Sequence, residues 1–328
     1  MPPTVNITVH SSEFPDSVGL AFLEGLRRRQ IAPRFLYQSY RQGQLWLALH
    51  RAFSPAWLDP DTELIYAMGC GAAACAAPAG AVNVVGLGCG SGTKEARLLQ
   101  ALTQQNKPAT TFLPSDVSLP LLLTSVEEAR KAEPSIVCKP LLCDLALAED
   151  LPAVLDELLG PSSARILTFF GLIPNFEPAV ILPKLSALLR EHDLLLFSAN
   201  LAPGPDYHAG VQAIFGGYDN THTRDWLMAF LEDLGVRGDD GLLTFAIEES
   251  GGLLRIVANF QFSRERVVTA HQEKFVFESG AVVRLFFSYR YTPPLMQELL
   301  RKFGIEARQR WIAESGEEGV FLCGKAPR

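Results

Sequence analysis

The sequence has few of the features that mark a metal-binding or disulfide-stabilised protein. Its six cysteines form no Cys-x-x-Cys pair, and its six histidines show neither His-x-His nor His-x-x-x-His spacing. We therefore predict no metal site. A chain of 328 residues is long enough to bury a substantial core without disulfide staples. Reduced thiols and a cytoplasmic location are expected.

Positive charge is also scarce. The chain carries 29 Lys and Arg against 36 Asp and Glu, for a formal net charge of −7. Its basic run, residues 27–29, is too short to form the cationic face that nucleic acid binding needs. Nucleic acid is therefore not an expected partner.

Long apolar runs of the membrane type are missing as well. Residues 65–91 contain no charged residue, but alanine and glycine dominate this stretch, and Pro78 and Asn83 interrupt it. Membrane helices are usually rich in larger apolar residues. The N-terminus carries Glu13 and Asp16 where a signal peptide would be basic and then apolar. Neither a membrane span nor a signal peptide is predicted.

The most informative feature is a glycine-rich stretch at residues 84–93. An apolar run, Val82 to Leu87, enters it, and a helical segment leaves it from Lys94. Glycine has no Cβ, so backbone can approach a ligand closely there. The following helix N-terminus offers free N–H groups. Dinucleotides and S-adenosylmethionine (SAM) are the two ligand classes that use this arrangement, here through four candidate cofactor-binding glycines: Gly86, Gly88, Gly90 and Gly92.

Short apolar runs alternate with helical stretches from residue 80 onward, which predicts an α/β fold with a mostly parallel sheet. The predicted strands are 82–87, 110–114, 136–142, 165–171 and 193–199, followed by closing strands near 306–311 and 319–323. We predict a seven-stranded, Rossmann-like sheet of the class I SAM-methyltransferase type, formed by residues 56–200 and 291–328. Residues 1–55 and 201–290 would form an inserted α+β substrate domain or lid.

Two carboxylates follow predicted strands at the ligand edge of the sheet. Asp116 comes two residues after the second strand, where it could hold both ribose hydroxyls. Asp144 follows the third strand and could accept from the adenine amino group; either residue could instead cap a helix. The loop also lacks a Gly or Ala three residues after Gly88 or Gly90, which disfavours a dinucleotide. Together these features favour SAM.

A turn at residues 169–176 leaves the fourth strand and contains Asn175. Its side chain has both a donor and an acceptor, which suits the positioning of an amine nucleophile. The same residue could simply form an Asx turn before Pro178.

These motifs together resemble the histidine-specific, SAM-dependent methyltransferase family, whose best-known members make the trimethylated precursor of ergothioneine. Short matches extend over most of the chain. They are Leu87-Gly-Cys-Gly-Ser-Gly-Thr93, Pro114-Ser-Asp116, the turn from Gly171 to Phe176, Ala32-Pro33-Arg34-Phe35-Leu36-Tyr37, Ser288-Tyr289-Arg290-Tyr291-Thr292-Pro293 and Arg310-Trp311.

The resemblance implies roles for individual residues. Gly88, Gly90 and Gly92 would line the methionine part of SAM, Asp116 would bind the ribose and Asp144 the adenine. Tyr37, Asn175 and Tyr218 would contact the amine and carboxylate of the substrate, with Tyr37 and Asn175 as the catalytic pair, and Ser288 would lie on the imidazole side.

The chain departs from that family at two positions. Gly86 stands where an acidic residue usually ends the first strand. Phe286 replaces the glutamate that holds the imidazole of histidine, so the charge-assisted hydrogen bond that selects a basic ring is lost. An aromatic or apolar partner fits Phe286 better. Histidine is therefore not the expected substrate.

The sequence predicts a SAM-dependent methyltransferase that N-methylates a small amine or an amino-acid-like molecule, as a monomer or homodimer. The alternatives are an NAD(P)-dependent oxidoreductase that uses the same glycine loop and a catalytically silent, SAM-binding scaffold protein.

Overall fold

A computed structural model describes residues 4–53, 59–78, 80–161 and 163–327. In these ranges, three α-helices precede residue 80, and strands then alternate with helices up to residue 200, as predicted. The elements are β1 (Thr8–Val9), α1 (Pro15–Arg28), α2 (Tyr40–Phe53), α3 (Pro60–Ala76), β2 (Val82–Leu87), α4 (Thr93–Gln104), β3 (Ala109–Asp116), α5 (Leu119–Ala132), β4 (Val137–Cys138), β5 (Leu141–Leu142), α6 (Leu151–Leu159), β6 (Ala164–Phe170), α7 (Pro178–Leu188) and β7 (Leu194–Asn200).

The second half is richer in long antiparallel strands. Its elements are α8 (Tyr207–Phe215), α9 (Thr221–Asp233), β8 (Gly241–Ser250), β9 (Leu253–Phe262), β10 (Arg266–Ala270), β11 (Glu273–Phe277), β12 (Val282–Tyr289), α10 (Pro293–Lys302), β13 (Ile305–Ile312) and β14 (Glu318–Lys325).

The central sheet has the order β1-β5-β3-β2-β6-β7-β14-β13, with β4 paired to β3. Its strands are parallel except for the closing β13–β14 hairpin, which joins β7 through antiparallel β14. The strand order reverses between β2 and β6, and ligands of open α/β sheets bind outside the carboxyl ends of the strands at such a point. All six residues of β2 are buried, as expected for a strand covered on both faces. The predicted mixed α/β fold class is confirmed.

The sheet differs from the predicted seven strands because the described residues form nine. The predicted third strand is split into β4 and β5 by Lys139 and Pro140. Proline cannot donate to a strand ladder, so pairing is interrupted there. The ninth strand is β1, a parallel addition to β5 from the N-terminal segment. Asp116 also differs slightly from expectation, since it is the last residue of β3 rather than two residues beyond it.

A three-stranded sheet, β12-β9-β8, and the β10–β11 hairpin stand apart from the central sheet. They share a hydrophobic cluster with α1, α2 and α9, in which Trp226, Phe260 and Leu285 are buried. Strand β8 was not predicted, because about half of its side chains are only partly buried and its apolar alternation is weak. The division into two domains remains a prediction.

Two negative findings apply to the described ranges alone. No helix there is long and apolar enough to cross a bilayer. No group of three or more His, Cys, Asp or Glu side chains there is placed to hold a metal ion.

Candidate active site

The glycine loop follows β2 and is shaped by left-handed backbone. Gly88, Gly90 and Gly92 have φ of 60°, 54° and 75°. The loop is held to the neighbouring strand, since the Cys89 N–H donates to the Ser115 carbonyl at 3.0 Å. A Cβ on Gly92 would lie 2.7 Å from the Ser125 Cα in α5, and one on Gly88 would lie 2.0 Å from the Leu172 Cδ1. Conformation and space therefore both require glycine.

A cavity of about 310 Å³ opens beside this loop, between the carboxyl edge of the central sheet and the β12-β9-β8 sheet. Six of the predicted site residues line it: Tyr37, Gly90, Asn175, Tyr218, Phe286 and Ser288. Five others do not: Gly86, Gly88, Gly92, Asp116 and Asp144. The predicted substrate residues are thus brought together, while most of the predicted cofactor residues lie buried beside the cavity.

Asp116 is buried against the glycine loop. Its Oδ2 accepts from the Gly90 N–H at 2.9 Å, and its Oδ1 accepts from the Ser118 N–H at 2.8 Å. Burial raises the pKa of this carboxyl to about 6, although the two backbone donors oppose the rise. Each carboxylate oxygen can accept a second hydrogen bond, so a ribose role stays open to Asp116.

Asp144 is engaged by a buried arginine. Arg34 Nη1 donates to its Oδ2 at 2.9 Å, and the Ala146 N–H donates to its Oδ1 at 2.8 Å. Arg34 also donates to Glu13 Oε2 at 2.7 Å. All three charged side chains are more than nine-tenths buried. The adenine end of the predicted cofactor site therefore contains an ion-paired cluster that the sequence did not indicate.

Gly86 lies in the interior of β2, so its backbone does not reach the cavity. A Cβ there would meet Cys89, Phe112 and Glu95. Glu95, in the first turn of α4, fills this region and accepts from the Thr168 hydroxyl at 2.9 Å. Burial raises the pKa of Glu95 to about 7. A second carboxylate at position 86 would face this one across a dry space, which gives a physical reason for glycine there.

The raised pKa of Glu95 predicts a pH-dependent stability. Between its ordinary pKa of 4.5 and its folded value of about 7, the folded chain keeps a proton that the unfolded chain loses. The free energy of unfolding therefore falls as pH rises through this window, by about 3 kcal/mol at most. Glu95→Gln removes this penalty and should gain stability relative to wild type at pH 8 but not at pH 4.5. Urea unfolding at both pH values measures the difference.

Glu127→Gln, a change at an exposed carboxylate of α5, is the matched control. It should shift stability by the same small amount at both pH values. If Glu95→Gln also showed no pH-dependent gain, the Glu95 carboxyl would titrate normally in the fold.

Asn175 is fixed by a hydrogen bond to the other sheet. Its Nδ2 donates to the Phe287 carbonyl of β12 at 2.8 Å. A carbonyl oxygen can only accept, so this contact sets the orientation of the amide. Oδ1 is left as an acceptor at the edge of the cavity that Asn175 lines. The Asx-turn role that the sequence allowed is not what the side chain does.

Tyr218, Ser288 and Arg290 form a second polar group in the cavity wall. The Tyr218 hydroxyl donates to Ser288 Oγ at 2.9 Å and accepts from Arg290 Nε at 3.1 Å. Arg290 Nη1 donates to the Leu201 carbonyl at 3.3 Å, and the residue is 7 % exposed. Within the described ranges, no carboxylate lies within ion-pairing distance of this guanidinium. Arg290 is therefore a buried cation in the cavity wall, with no ion-pair partner among the described residues.

Aromatic rings form the remaining wall between the two polar groups. The Trp226 ring lies 5.6 Å from Phe286 and 5.4 Å from Tyr37. Trp46 lies 5.8 Å from Tyr37 and stacks on His50. Burial lowers the pKa of His50 to about 3, so the imidazole is neutral at pH 7. This wall suits an apolar or aromatic ligand group.

A further cation lies beside the glycine loop. Lys94 Nζ donates to the Tyr66 hydroxyl at 2.7 Å and sits 4.4 Å from the centre of the Tyr66 ring. The same hydroxyl donates to the carboxylate of Glu318, which also lines the cavity, and can accept from the Ser198 hydroxyl at 2.6 Å. Burial lowers the pKa of Lys94. The chain thus places one cation at each side of the cavity, Lys94 at the start of α4 and Arg290 after β12.

Sequence reasoning missed Lys94, Arg290, Arg34 and Glu13. Arg290 could have been found, because residues two apart in extended chain point to one face and Ser288 was already a candidate. Lys94 directly follows the glycine loop, but a lysine in the first turn of a helix is commonly solvated. Nothing local marks Glu13 or Arg34, since their partner Asp144 is distant in sequence.

The site combines a glycine loop at the switch point of a parallel sheet, two strand-end carboxylates and a polar–aromatic cavity. These features define a nucleotide-cofactor-dependent enzyme of the Rossmann-like class. The sequence profile of the family described as histidine-specific methyltransferase, SAM-dependent, matches residues 20–224. The chain belongs to this family, and its cofactor is SAM rather than a nicotinamide. No curated protein matches the chain in sequence.

Solved structures with a similar fold are distant in sequence. The CcbJ methyltransferase from Streptomyces caelestis is 15 % identical, with 79 % of this chain and 90 % of that chain covered and a TM-score of 0.39. The 1,6-didemethyltoxoflavin-N1-methyltransferase from Burkholderia thailandensis is 14 % identical, with coverages of 86 % and 89 % and a TM-score of 0.41. The magnesium protoporphyrin IX methyltransferase from Synechocystis is 10 % identical, with coverages of 88 % and 95 % and a TM-score of 0.43.

The residues beside the loop fit SAM. The left-handed glycines leave room for close backbone approach, and two buried acceptors, Glu13 Oε1 and Ser118 Oγ, have no hydrogen-bond partner in the described part of the chain. A buried polar atom without a partner is costly, and the hydroxyl and amino groups of an adenosine supply donors. Lys94 lies where it could offset the carboxylate of the methionine part.

Proposed function

We propose that this SAM-dependent methyltransferase N-methylates a small molecule that carries an amine, a carboxylate and an apolar or aromatic body, and that histidine is not its substrate. The observation that carries the proposal is the orientation of Asn175, whose Oδ1 is available to accept from an amine N–H. A hydrogen bond of that kind orients the amine and leaves its lone pair free to react.

SAM supplies an electrophilic methyl group on a positively charged sulfur, and transfer requires a nucleophile aligned behind that carbon. Asn175 orients the amine, with the Tyr37 hydroxyl beside it in the same cavity. The amine reacts only when unprotonated, and we assign the removal of its proton to the carboxylates of Glu317 and Glu318, which line the cavity. The chain's own contribution is therefore positioning and proton removal.

The two cations suggest separate binding places for two carboxylates, that of the methionine part of SAM and that of the substrate. Lys94 begins α4 beside the glycine loop and so belongs with the cofactor. Arg290 directly follows β12, where it contacts the Tyr218 hydroxyl beside Ser288. Asn175 bonds to the same strand, and we therefore assign Arg290 to the substrate. A buried guanidinium without a counter-charge is stabilised when a carboxylate arrives, and arginine binds carboxylates with two parallel hydrogen bonds.

Phe286 selects the body of the substrate. Its ring lies 5.6 Å from Trp226 and 6.4 Å from Tyr218, so the group that enters between them meets apolar faces rather than a charge. A cationic or strongly polar ring would lose its hydration there without an acidic partner. Aromatic and branched aliphatic side chains fit this wall.

The test is a methyl-transfer assay with the purified protein, SAM and a panel of amino acids, read by mass spectrometry. Phenylalanine-, tyrosine- or leucine-like amines should gain a methyl group on nitrogen, and histidine should react at least tenfold more slowly. Phe286→Glu is the matched variant and should move the preference back towards histidine. Exclusive methylation of histidine, or of hydroxyl oxygen, would overturn the proposal; SAM binding without transfer to any amine would favour the scaffold alternative.

A further inference from the structure

The N-terminal segment lies across the adenine end of the predicted cofactor site. Strand β1 pairs with β5 in parallel, and the His10 N–H donates to the Leu142 carbonyl at 2.9 Å. Ser12 Oγ accepts from the Asp144 N–H at 3.0 Å. These contacts place residues 8–13, which we call the strap, beside β5 and along its carboxyl end.

Glu13, at the end of the strap, is held in a chain of charges. Its Oε2 accepts from Arg34 Nη2 at 2.7 Å, and Arg34 Nη1 donates to Asp144 Oδ2 at 2.9 Å. The Glu13 side chain is 6 % exposed. Its pKa is raised, chiefly by burial; Arg34 opposes the rise, and the nearby charges of Asp144 and Asp116 add to it. Two carboxylates thus share one arginine at this edge of the sheet, and a third, Asp116, lies near enough to raise the pKa of Glu13.

Of these three carboxylates, only that of Glu13 has an oxygen that accepts no hydrogen bond from the described residues. Both oxygens of Asp116 and both of Asp144 already accept hydrogen bonds. Glu13 Oε1 is buried and accepts from no donor in the described part of the chain. A buried carboxylate oxygen without a donor loses its hydration without compensation. Among the described residues, the cluster therefore leaves Glu13 Oε1 without a donor and Arg34 Nε without an acceptor.

We propose that Glu13 is a cofactor-binding residue, and that its free oxygen accepts a hydrogen bond from a donor of the adenosine half of SAM. The donors available there are the 6-amino group and the ribose hydroxyls. Arg34 then acts as a positioning residue that holds Glu13 and Asp144 side by side. The strap becomes part of the cofactor site, although it lies about 70 residues before the glycine loop.

Titration calorimetry with S-adenosylhomocysteine tests this assignment independently of any methyl acceptor. Glu13→Ala should weaken binding by about 10-fold or more, the effect of losing one charge-assisted hydrogen bond. Glu24→Ala, which removes an exposed carboxylate paired to Arg28 in α1, is the matched control and should leave binding within twofold. Thermal unfolding without ligand establishes that each variant is folded.

Cofactor analogues separate a direct contact from a structural one. For S-inosylhomocysteine and the 2′- and 3′-deoxy forms, the analogue that lacks the contacted donor should bind wild type and Glu13→Ala almost equally. An equal loss with every analogue, or a loss below twofold with the parent compound, would overturn the proposal. If Glu13→Ala does not fold, Glu13→Gln, which keeps an acceptor oxygen but loses the charge, should show the same order of analogues with a smaller loss. These outcomes do not depend on whether the substrate is an amine.

Hydrogen exchange gives a second readout. The amides of residues 8–14 should exchange more slowly when S-adenosylhomocysteine is bound to wild type, and this protection should be reduced in Glu13→Ala. Unchanged exchange in the strap on ligand binding would also count against the assignment, because a residue that contacts the cofactor must share in its binding free energy.

Discussion

Replacing Gly92 with alanine is expected to lower the free energy of unfolding by about 4 kcal/mol. Two costs add at this position. Gly92 has φ of 75°, which an alanine adopts only with strain, and the added Cβ would lie 2.6 Å from the Cβ and 2.7 Å from the Cα of Ser125. Because one of these atoms is backbone of α5, the clash is relieved only by moving the glycine loop or the helix. Urea unfolding followed by circular dichroism measures the loss.

The matched control is Gly252→Ala, in the turn between β8 and β9. Gly252 has φ of 76°, but no atom lies within 4 Å of its would-be Cβ. It should lose only the conformational cost, about 1–2 kcal/mol. Equal losses in the two variants would show that the loop does not press against α5 as the structure describes.

The same displacement should also reduce cofactor affinity in Gly92→Ala, because Gly90 and Asp116 are joined by a hydrogen bond across the loop. Gly252→Ala should bind S-adenosylhomocysteine like wild type. A Gly92→Ala protein with unchanged affinity would place the cofactor away from this loop.

On the proposed reaction, Arg290→Met should raise the KM for an amino-acid substrate about 100-fold, which corresponds to the loss of two charge-assisted hydrogen bonds. Methionine keeps the apolar stem but removes the cation and both donors to the Tyr218 hydroxyl. The kcat should change much less, because the carboxylate is bound equally in the ground state and the transition state. Steady-state kinetics over a range of substrate concentrations separates the two parameters.

The matched comparison uses the same variant with the decarboxylated amine. This substrate has no anion for Arg290, so wild type and Arg290→Met should show similar KM values for it. Arg290→Lys should fall between the two, since lysine keeps the charge but not the paired donors. If both substrates suffered alike from Arg290→Met, the residue would support the wall of the cavity rather than bind a carboxylate.

Much of the fold was predictable because its signals are local. Strand β2 is buried on both faces, so its apolar run is almost uninterrupted, and the glycines after it mark a turn that other residues cannot form without strain. The closing strands β13 and β14 were also predicted, as the antiparallel hairpin that ends the sheet of SAM-dependent methyltransferases. Strand β8 was not predicted, because its partly exposed side chains show no clear alternation of apolar and polar residues. The split of β4 from β5 was not predicted either, because it depends on a single proline.

The site was predicted unevenly. Tyr37, Asn175, Tyr218, Phe286 and Ser288 do come together around one cavity. Their roles were proposed from a family resemblance, because residues spread over about 250 positions carry no local pattern that links them. Asn175 was open to an Asx turn until its contact with Phe287 was known.

The sequence by itself determined that the chain forms an α/β sheet with a glycine loop at its ligand edge. It also favoured SAM as the cofactor and showed Phe286 where the resemblance leads one to expect a glutamate. These properties depend on residue type and on order along the chain. Only the tertiary structure decided that Arg290 lines the cavity with no ion-pair partner in the described ranges, and that Glu13, Arg34 and Asp144 form one buried cluster. Burial and pairing arise between residues distant in sequence, so the partner of a charge becomes visible only after the chain has folded.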